Sequence, residues 1–336
     1  MFKIDSSTAV TTMPTPSAYG TPGFFAHGDG VSVPYTVLTS DWANAVQMEI
    51  ANVVTAAGLS LDKTNQSQLL AALALLGRTK LTGALNLYVS SAGSDLNNGL
   101  SSGTPFLTLQ QACNVALANY DTAGFPINVN VASGTYTAGV LLTRPLVGGG
   151  VLHFIGNTTT PTTVSVNLVS SGPCFLAQAA ATMSVSGFSM TASVGSGLNT
   201  GYCIGANLAG VVYFDHCIFN AAQYAHLTTG IAGYISATGP YTISASAQVH
   251  MIAGSGGSEI VVANQTVTLA GTPTFTYAFA AADSAALVYA GGNTYSGGAT
   301  GTRYIATNGG YIISNGAGAS YFPGTVAGIS TTGYYE

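Results

Sequence analysis

Six short phrases decide how this chain folds: Pro173-Cys174-Phe175-Leu176, Tyr202-Cys203-Ile204, Ala225-His226-Leu227, Val249-His250-Met251, Thr276-Tyr277-Ala278 and Arg303-Tyr304-Ile305. Each resumes after a turn rich in Gly, Asn, Thr or Ser, and their middle residues are 29, 23, 24, 27 and 26 or 27 positions apart. That interval matches one circuit of a parallel β-helix, three short strands joined by three turns. Heptads are far shorter, and propeller blades run to about 40 residues or more. Between the phrases lie alternating segments such as Ile127-Asn128-Val129-Asn130-Val131 and Val164-Ser165-Val166-Asn167-Leu168, whose period of two is that of a strand with one buried face. Asn, Gly and Ser at the corners are expected to supply the left-handed turns such coils need.

The solenoid signal begins at Leu87-Tyr88-Val89 and the turn-rich run to Gly99. The stretch Thr104-Pro105-Phe106-Leu107-Thr108 then leads into an amphipathic helix ending near Ala118, with Leu109, Ala112, Cys113, Ala116 and Leu117 on its apolar face. An isolated helix at the head of a strand-rich region reads as a cap on the open end of a β-stack. Residues 1–80 differ in kind. Pro14, Pro16, Pro22 and Pro34 with Gly20, Gly23, Gly28 and Gly30 make an extended arm. A helix capped by Ser40 or Asp41 follows, carrying Trp42, Val46, Ile50, Val53 and Val54 and ending at Gly58. A second runs from about Asn65 to Leu76 and stops at Gly77. The segmentation is therefore an N-terminal module over 1–80, a β-helix with its cap over 81–310, and a last coil with a terminal lock over 311–336.

Only 5% of the 336 residues are charged, against about 25% in ordinary soluble domains. Between Pro145 and Ser258 the one formally charged side chain is Asp215. The six Lys and Arg residues form no cluster, so the footprint of nucleic-acid binding is missing. Mean hydropathy is +0.40, but no apolar run reaches the 18 or so residues of a membrane-spanning helix, and Leu69–Leu76 is about two turns long. Met1-Phe2-Lys3-Ile4-Asp5 opens no apolar signal segment, which implies synthesis in a cytoplasm. Cys113, Cys174, Cys203 and Cys217 show neither a C-x-x-C pair nor a disulfide framework and read as buried thiols.

Two stretches carry a resemblance. Trp42-Ala43-Asn44, Glu49-Ile50, Ala57-Gly58-Leu59, Asn65-Gln66 and Gln68-Leu69-Leu70-Ala71-Ala72-Leu73 resemble the N-terminal virion-attachment modules of phage and prophage tail fibres. Tyr88-Val89 through Gly99 with Gly103-Thr104-Pro105-Phe106-Leu107-Thr108-Leu109-Gln110-Gln111-Ala112 is similar to the entry of pectin-lyase-like right-handed β-helices, phage tailspikes among them. Tyr321-Phe322-Pro323-Gly324-Thr325-Val326-Ala327-Gly328 resembles the ends of prophage tail proteins. Together these cover about a third of the chain. The resemblance implies a parallel homotrimer on a virion tail, joined to baseplate or tail proteins through residues 1–80. It further implies that such a trimer binds or cuts host surface polysaccharide.

Cutting sugars takes two carboxylates. The solenoid offers Asp95, Asp121, Asp215, Glu259 and Asp283. Glu259 and Asp283 lie 24 residues apart, about one coil, so stacking on neighbouring rungs would approach the carboxyl separation of retaining enzymes. Against this, Asp283 reads as a corner and the two sit at different offsets from their coil starts. A lyase would need a base near the sugar ring, and only Arg144 and Arg303 are basic in this region. Asp215-His216 looks like a dyad on paper, but neighbouring strand residues point to opposite faces, so a corner or solvent-facing Asp is the better reading. His226 and His250 recur at equivalent coil positions, as Cys174 and Cys203 do, without the H-x-H or H-x-x-x-H spacing of a metal site. Gly291-Gly292 and Gly297-Gly298 precede no helix and form no phosphate cradle. Eighteen tyrosines among Ser, Asn and Thr suit neutral carbohydrate through ring stacking and hydroxyl bonds, though many must fill the interior. The sequence therefore predicts a mainly β, right-handed parallel β-helix, trimeric in a tail fibre or spike. It predicts receptor binding without cofactor or metal, and an endoglycosidase or lyase of the same fold is the alternative.

Overall fold

The structure, a computed structural model, describes residues 3–16, 23–32, 34–195 and 200–336. Gly20 and Pro22 of the expected arm fall outside these. The chain separates into two compact units, Met1–Thr79 and Lys80–Glu336.

In the first unit, one helix spans Ser40–Ala56 and is capped by Thr39, whose hydroxyl accepts from Trp42 N, rather than by Ser40 or Asp41. A second spans Gln68–Leu76. It starts later than the expected Asn65 because the Asn65 carboxamide accepts from Ser67 N and holds a local turn in place of helix. The helices meet through Ala51 and Val54 on one and Gln68 and Ala72 on the other. Trp42, expected on the buried face, is half exposed and packs edge-on against Phe25 at 5.3 Å.

The second unit is a parallel β-solenoid. Three sheets of ten, seven and nine strands run along it, and neighbouring strands within each come from successive coils. On the ten-stranded face Thr182 stands opposite Val211, and Val211, Tyr234, Glu259, Leu287 and Tyr311 follow one another, so successive circuits take 29, 23, 25, 28 and 24 residues. The interior is a continuous apolar column that includes Phe154, Phe175, Phe188, Phe214, Phe219, Phe275, Phe279 and Phe322, all fully buried. Fixed register stacks like upon like. Ala177, Ala206, Thr229, Ala253, Ala282 and Ala306 form one ladder on the nine-stranded sheet.

Alanine also carries many of the corners, where Asn, Gly and Ser were expected. Ala180, Ala209, Ala232 and Ala285 all have positive φ. A left-handed alanine costs about 1 kcal/mol or more, offset here because each corner is bonded to the next: Ala180 N donates to Leu208 O at 2.9 Å and Ala209 N to Ile231 O at 3.1 Å.

A helix covers the first coil of the stack. The helix Leu109–Asn119, capped by the Thr108 hydroxyl, buries Leu109, Ala112, Cys113, Ala116 and Leu117, the face expected from sequence. The Gln110 carboxamide accepts from Leu141 N (2.7 Å) and donates to Leu141 O (3.2 Å), standing in for a missing neighbour of the edge strand Val140–Leu142. At the far end Tyr335 stacks on Tyr304 at 3.8 Å and buried Phe322 packs among Phe279, Tyr295 and Tyr304.

Within the alanine ladder the Thr229 hydroxyl is buried without a hydrogen-bond partner among the described residues. Thr229→Val keeps the shape and removes an unsatisfied polar group, so the expected outcome is a gain of about 1 kcal/mol, read from the denaturant midpoint. A loss of similar size would show that the hydroxyl has a partner in solution.

Candidate functional site

The carboxylates do not gather. Glu259 lies on the ten-stranded face between Tyr234 and Leu287. Asp283 turns a corner just past the strand Thr274–Ala282 of the nine-stranded sheet. The one-coil interval between them joins different faces, so the two do not stack, and Asp283 stands at a corner as read from sequence. Partial burial pushes the Asp283 pKa up, but bonds from Asn308 Nδ2 (2.7 Å), Thr307 Oγ1 (3.0 Å) and Ser284 Oγ (3.1 Å) outweigh it and hold the carboxyl below its usual range. Asp95 accepts from Leu107 N, Thr108 N and Thr108 Oγ1 and thereby anchors the capping helix. Asp121 accepts from Ala123 N in a turn. Arg144 follows the strand Val140–Leu142, and Arg303 precedes Tyr304–Ala306.

Asp215 and His216 do meet, contrary to the expectation from strand alternation. Asp215 ends the strand Val211–Asp215, and His216 takes φ +47, which folds its ring back so that Nδ1 lies 2.8 Å from Asp215 Oδ1. Ser186 Oγ donates to the same carboxylate oxygen from the coil before. The pair is a corner clasp across two coils. The hydroxyl beside it bonds the carboxylate and not the imidazole, the reverse of what would activate a nucleophile.

The repeating phrases hold register as read from Cys174 through Cys203 and His226 to His250. The next step differs. Met251 stands opposite Ala280, which brings Phe279, not Tyr277, level with His250. The register shifts here: Ala247 and Val249 oppose Phe275 and Ala278, so the later strand carries one extra residue.

His226 and His250 sit in the core as a pair. His226 Nε2 faces the Asn220 carbonyl at 2.9 Å, which accepts, so Nε2 carries the proton. His226 Nδ1 must then accept from His250 Nδ1–H at 3.1 Å, and His250 Nε2 accepts from the Tyr241 hydroxyl at 3.0 Å. Every position of this one-way chain is filled while both rings are neutral. Burial pushes the His226 pKa down to about 3 despite the Asn220 carbonyl, and burial together with His226 holds His250 well below its usual value. Among the described residues no group of three metal-ligating side chains forms. Burial likewise pushes the Cys217 thiol up to about 12. The pair is a polar bolt through the core.

The outer side of the nine-stranded sheet is where an incoming molecule finds shape. Leu176, Gly205, Thr228, Ile252 and Ala281 follow one another in register along its outer surface. Tyr202, Tyr224 and Tyr277 stand beside them and help line a groove of about 350 Å3, with Asn207, Ser255 and Asp283 at its polar margin. A side chain at Gly205 would run into the Tyr202 ring, 2.4 Å from Cε2, so glycine is what lets that ring lie flat on the sheet. Burial raises the pKa of all three phenols, with Tyr277 adding to Tyr224 and Asp283 to Tyr277, so each keeps its proton at neutral pH and remains a donor. The extra residue of the shifted strand lies between Phe275 and Ala278, at Thr276-Tyr277, and it turns Tyr277 outward, 43% exposed, between buried Phe275 and Phe279. Sequence reading missed this groove. Its signals were Tyr202 three residues ahead of Gly205 and a sheet apolar on both faces.

A local similarity joins these observations. Over 71 residues the chain is 42% identical to tail fiber protein S of Escherichia phage Mu, a stretch that makes up 20% of this chain and 14% of that protein. No protein-family model and no solved structure matches the chain.

The histidine pair sets the acid sensitivity of the fold. In the unfolded chain each imidazole binds a proton below about pH 6.5, whereas the core holds both rings neutral well below that. Stability is therefore fully present above the unfolded value and falls as pH drops through it, at up to ~1.4 kcal/mol per pH unit for each ring. Chemical denaturation at pH 7.5, 6.0 and 5.0 should show the loss before carboxylates titrate. A flat profile across that range would mean the pair is not buried neutral.

Proposed function

We propose that this chain is a subunit of a phage tail fibre that recognises saccharide at the bacterial surface through the Tyr202–Tyr224–Tyr277 groove. The observation that carries the reading is the groove itself: aromatic faces and hydroxyl and amide donors, with Asp283 the only charged residue at its edge among the described residues. Sugars present apolar ring faces edged by hydroxyls, and tyrosines meet both sides of that character. The local likeness to a tail fiber protein supplies the setting. In this reading residues 1–80 join the chain to the tail or baseplate, and the solenoid reaches outward. Its coils wind right-handed, as parallel crossovers do. Three parallel copies associate about the fibre axis, because the span from Pro145 to Ser258 offers one charge to desolvate and much hydroxyl-rich surface to share.

Cleavage of the saccharide is the weaker reading. Glu259 and Asp283 sit on different faces, and the other solenoid acids stand at separate turns. The chain is expected to bind host surface polysaccharide without shortening it. Tyr202→Ala and Tyr277→Ala should each weaken binding of a purified host glycan about tenfold, the ~1.4 kcal/mol scale of one ring contact, with the β-rich circular dichroism of the fold retained. Biolayer interferometry and sizing of the glycan after incubation read both points. Unaltered binding in both variants would remove the groove from the account, and shortened glycan that persists in wild type but not in Asp283→Asn would install an enzyme in its place.

A further inference from the structure

Among its described lining residues the saccharide groove has one charge, Asp283, and it lies at one end. The floor crosses five successive coils from Leu176 to Ala281, and Asp283 shares the last of these with Tyr277. Asn207, Gly230, Gly254 and Asp283 directly follow the paired residues Ala206, Thr229, Ala253 and Ala282, so together they form one rim. Its two glycines leave that rim low on the coils before the carboxylate. A Cβ at Gly254 would meet only Thr229 O, at 3.6 Å, so a side chain's worth of space opens on the coil next to Asp283. The carboxylate itself keeps both its charge and room for a further donor. Asn308 Nδ2 and Thr307 Oγ1 donate to Oδ1 and Ser284 Oγ to Oδ2, three neutral donors where two carboxylate oxygens accept about four. Those bonds outweigh burial and hold the group ionised, and among the described residues it forms no ion pair, unlike Asp215 with His216. Its charge reaches the groove: after burial, Asp283 is what raises the Tyr277 phenol pKa.

We infer that the groove selects a saccharide bearing an unacylated amine, its ammonium group held between the Tyr277 ring and the Asp283 carboxylate at the low rim beside Gly254. The inference rests on the saccharide reading above and names the chemistry of the sugar. An ammonium group satisfies both neighbours at once. It donates to the carboxylate in a charge-assisted bond and is drawn to the face of a tyrosine ring. An acetamido or hydroxyl group brings hydrogen bonds but leaves Asp283 without a counter-charge. An acidic sugar would set a second anion against Asp283, with no cation among the described lining residues to separate them.

Binding of the purified host glycan to the full chain, before and after its free amines are capped with acetic anhydride, tests this by biolayer interferometry. Wild type should bind the native glycan about tenfold more tightly than the acetylated one. Asp283→Asn should bind the native glycan about tenfold more weakly than wild type and no longer tell the two apart. Gly254→Lys leaves Asp283 intact but fills the same opening with an ammonium group of the chain's own, and it should have the same effect. Raising the salt concentration should weaken wild type more than Asp283→Asn. Equal binding of both glycans by wild type, or a preference that persists in both variants, overturns the ammonium assignment; if Tyr277→Ala still weakens binding, the groove reading stands without it. A native glycan that wild type does not bind, or that Tyr202→Ala and Tyr277→Ala bind as well as wild type does, overturns the groove and this inference together.

Discussion

Everything in the solenoid depends on one constraint: a coil of three short strands leaves its backbone groups unpaired until another coil lies against it. Stacking satisfies those groups and places each side chain directly over its counterpart roughly 4.8 Å away. Register then becomes the currency of the fold. A position chosen once is repeated, and the alanine ladder from Ala177 to Ala306 and the column from Cys174 to His250 are the visible result. The first coil also needs a cover, which the Leu109–Asn119 helix with Gln110 supplies, while Phe322, Tyr304 and Tyr335 pack together in the last coils.

Repetition of this kind is legible in sequence for as long as the coils are regular. The phrases around Cys174, Cys203, His226 and His250 could be aligned because the circuits between them contain no irregularity that shifts this column. The alignment fails at Tyr277: Phe279, two residues further on, stands in the column, and the one inserted residue accounts for half of that offset. An insertion of a single residue is invisible in a spacing that already varies from coil to coil. The same event sends Tyr277 to the surface, so part of the register error and the missed groove share a cause. Asp215 and His216 show a second limit. Alternation applies inside a strand, whereas His216 occupies a left-handed corner where adjacent side chains converge.

Corners were also harder to read than strands. Asn264, Asn308, Ser284 and several glycines take positive φ as expected, yet Ala180, Ala209, Ala232 and Ala285 serve there too because neighbouring corners bond to one another and offset the strain. The buried histidines illustrate the complementary point. Their recurrence was readable, but their neutral state follows from the direction of the bonds to Asn220 and Tyr241, which only the folded geometry supplies. In the N-terminal unit the apolar residues of both helices were evident, but not which would remain uncovered. Trp42 and the leucines of the second helix are exposed because two short helices have only one shared face to offer.

The central claim is that the chain is a host-facing element of a phage tail. Electron microscopy of particles carrying a gold-labelled tag on this protein addresses it most directly. The account predicts label on appendages at the distal end of the tail, with the solenoid end of the chain pointing away from the particle. Label on the head, or purified particles without label beside a fully tagged lysate, would contradict it.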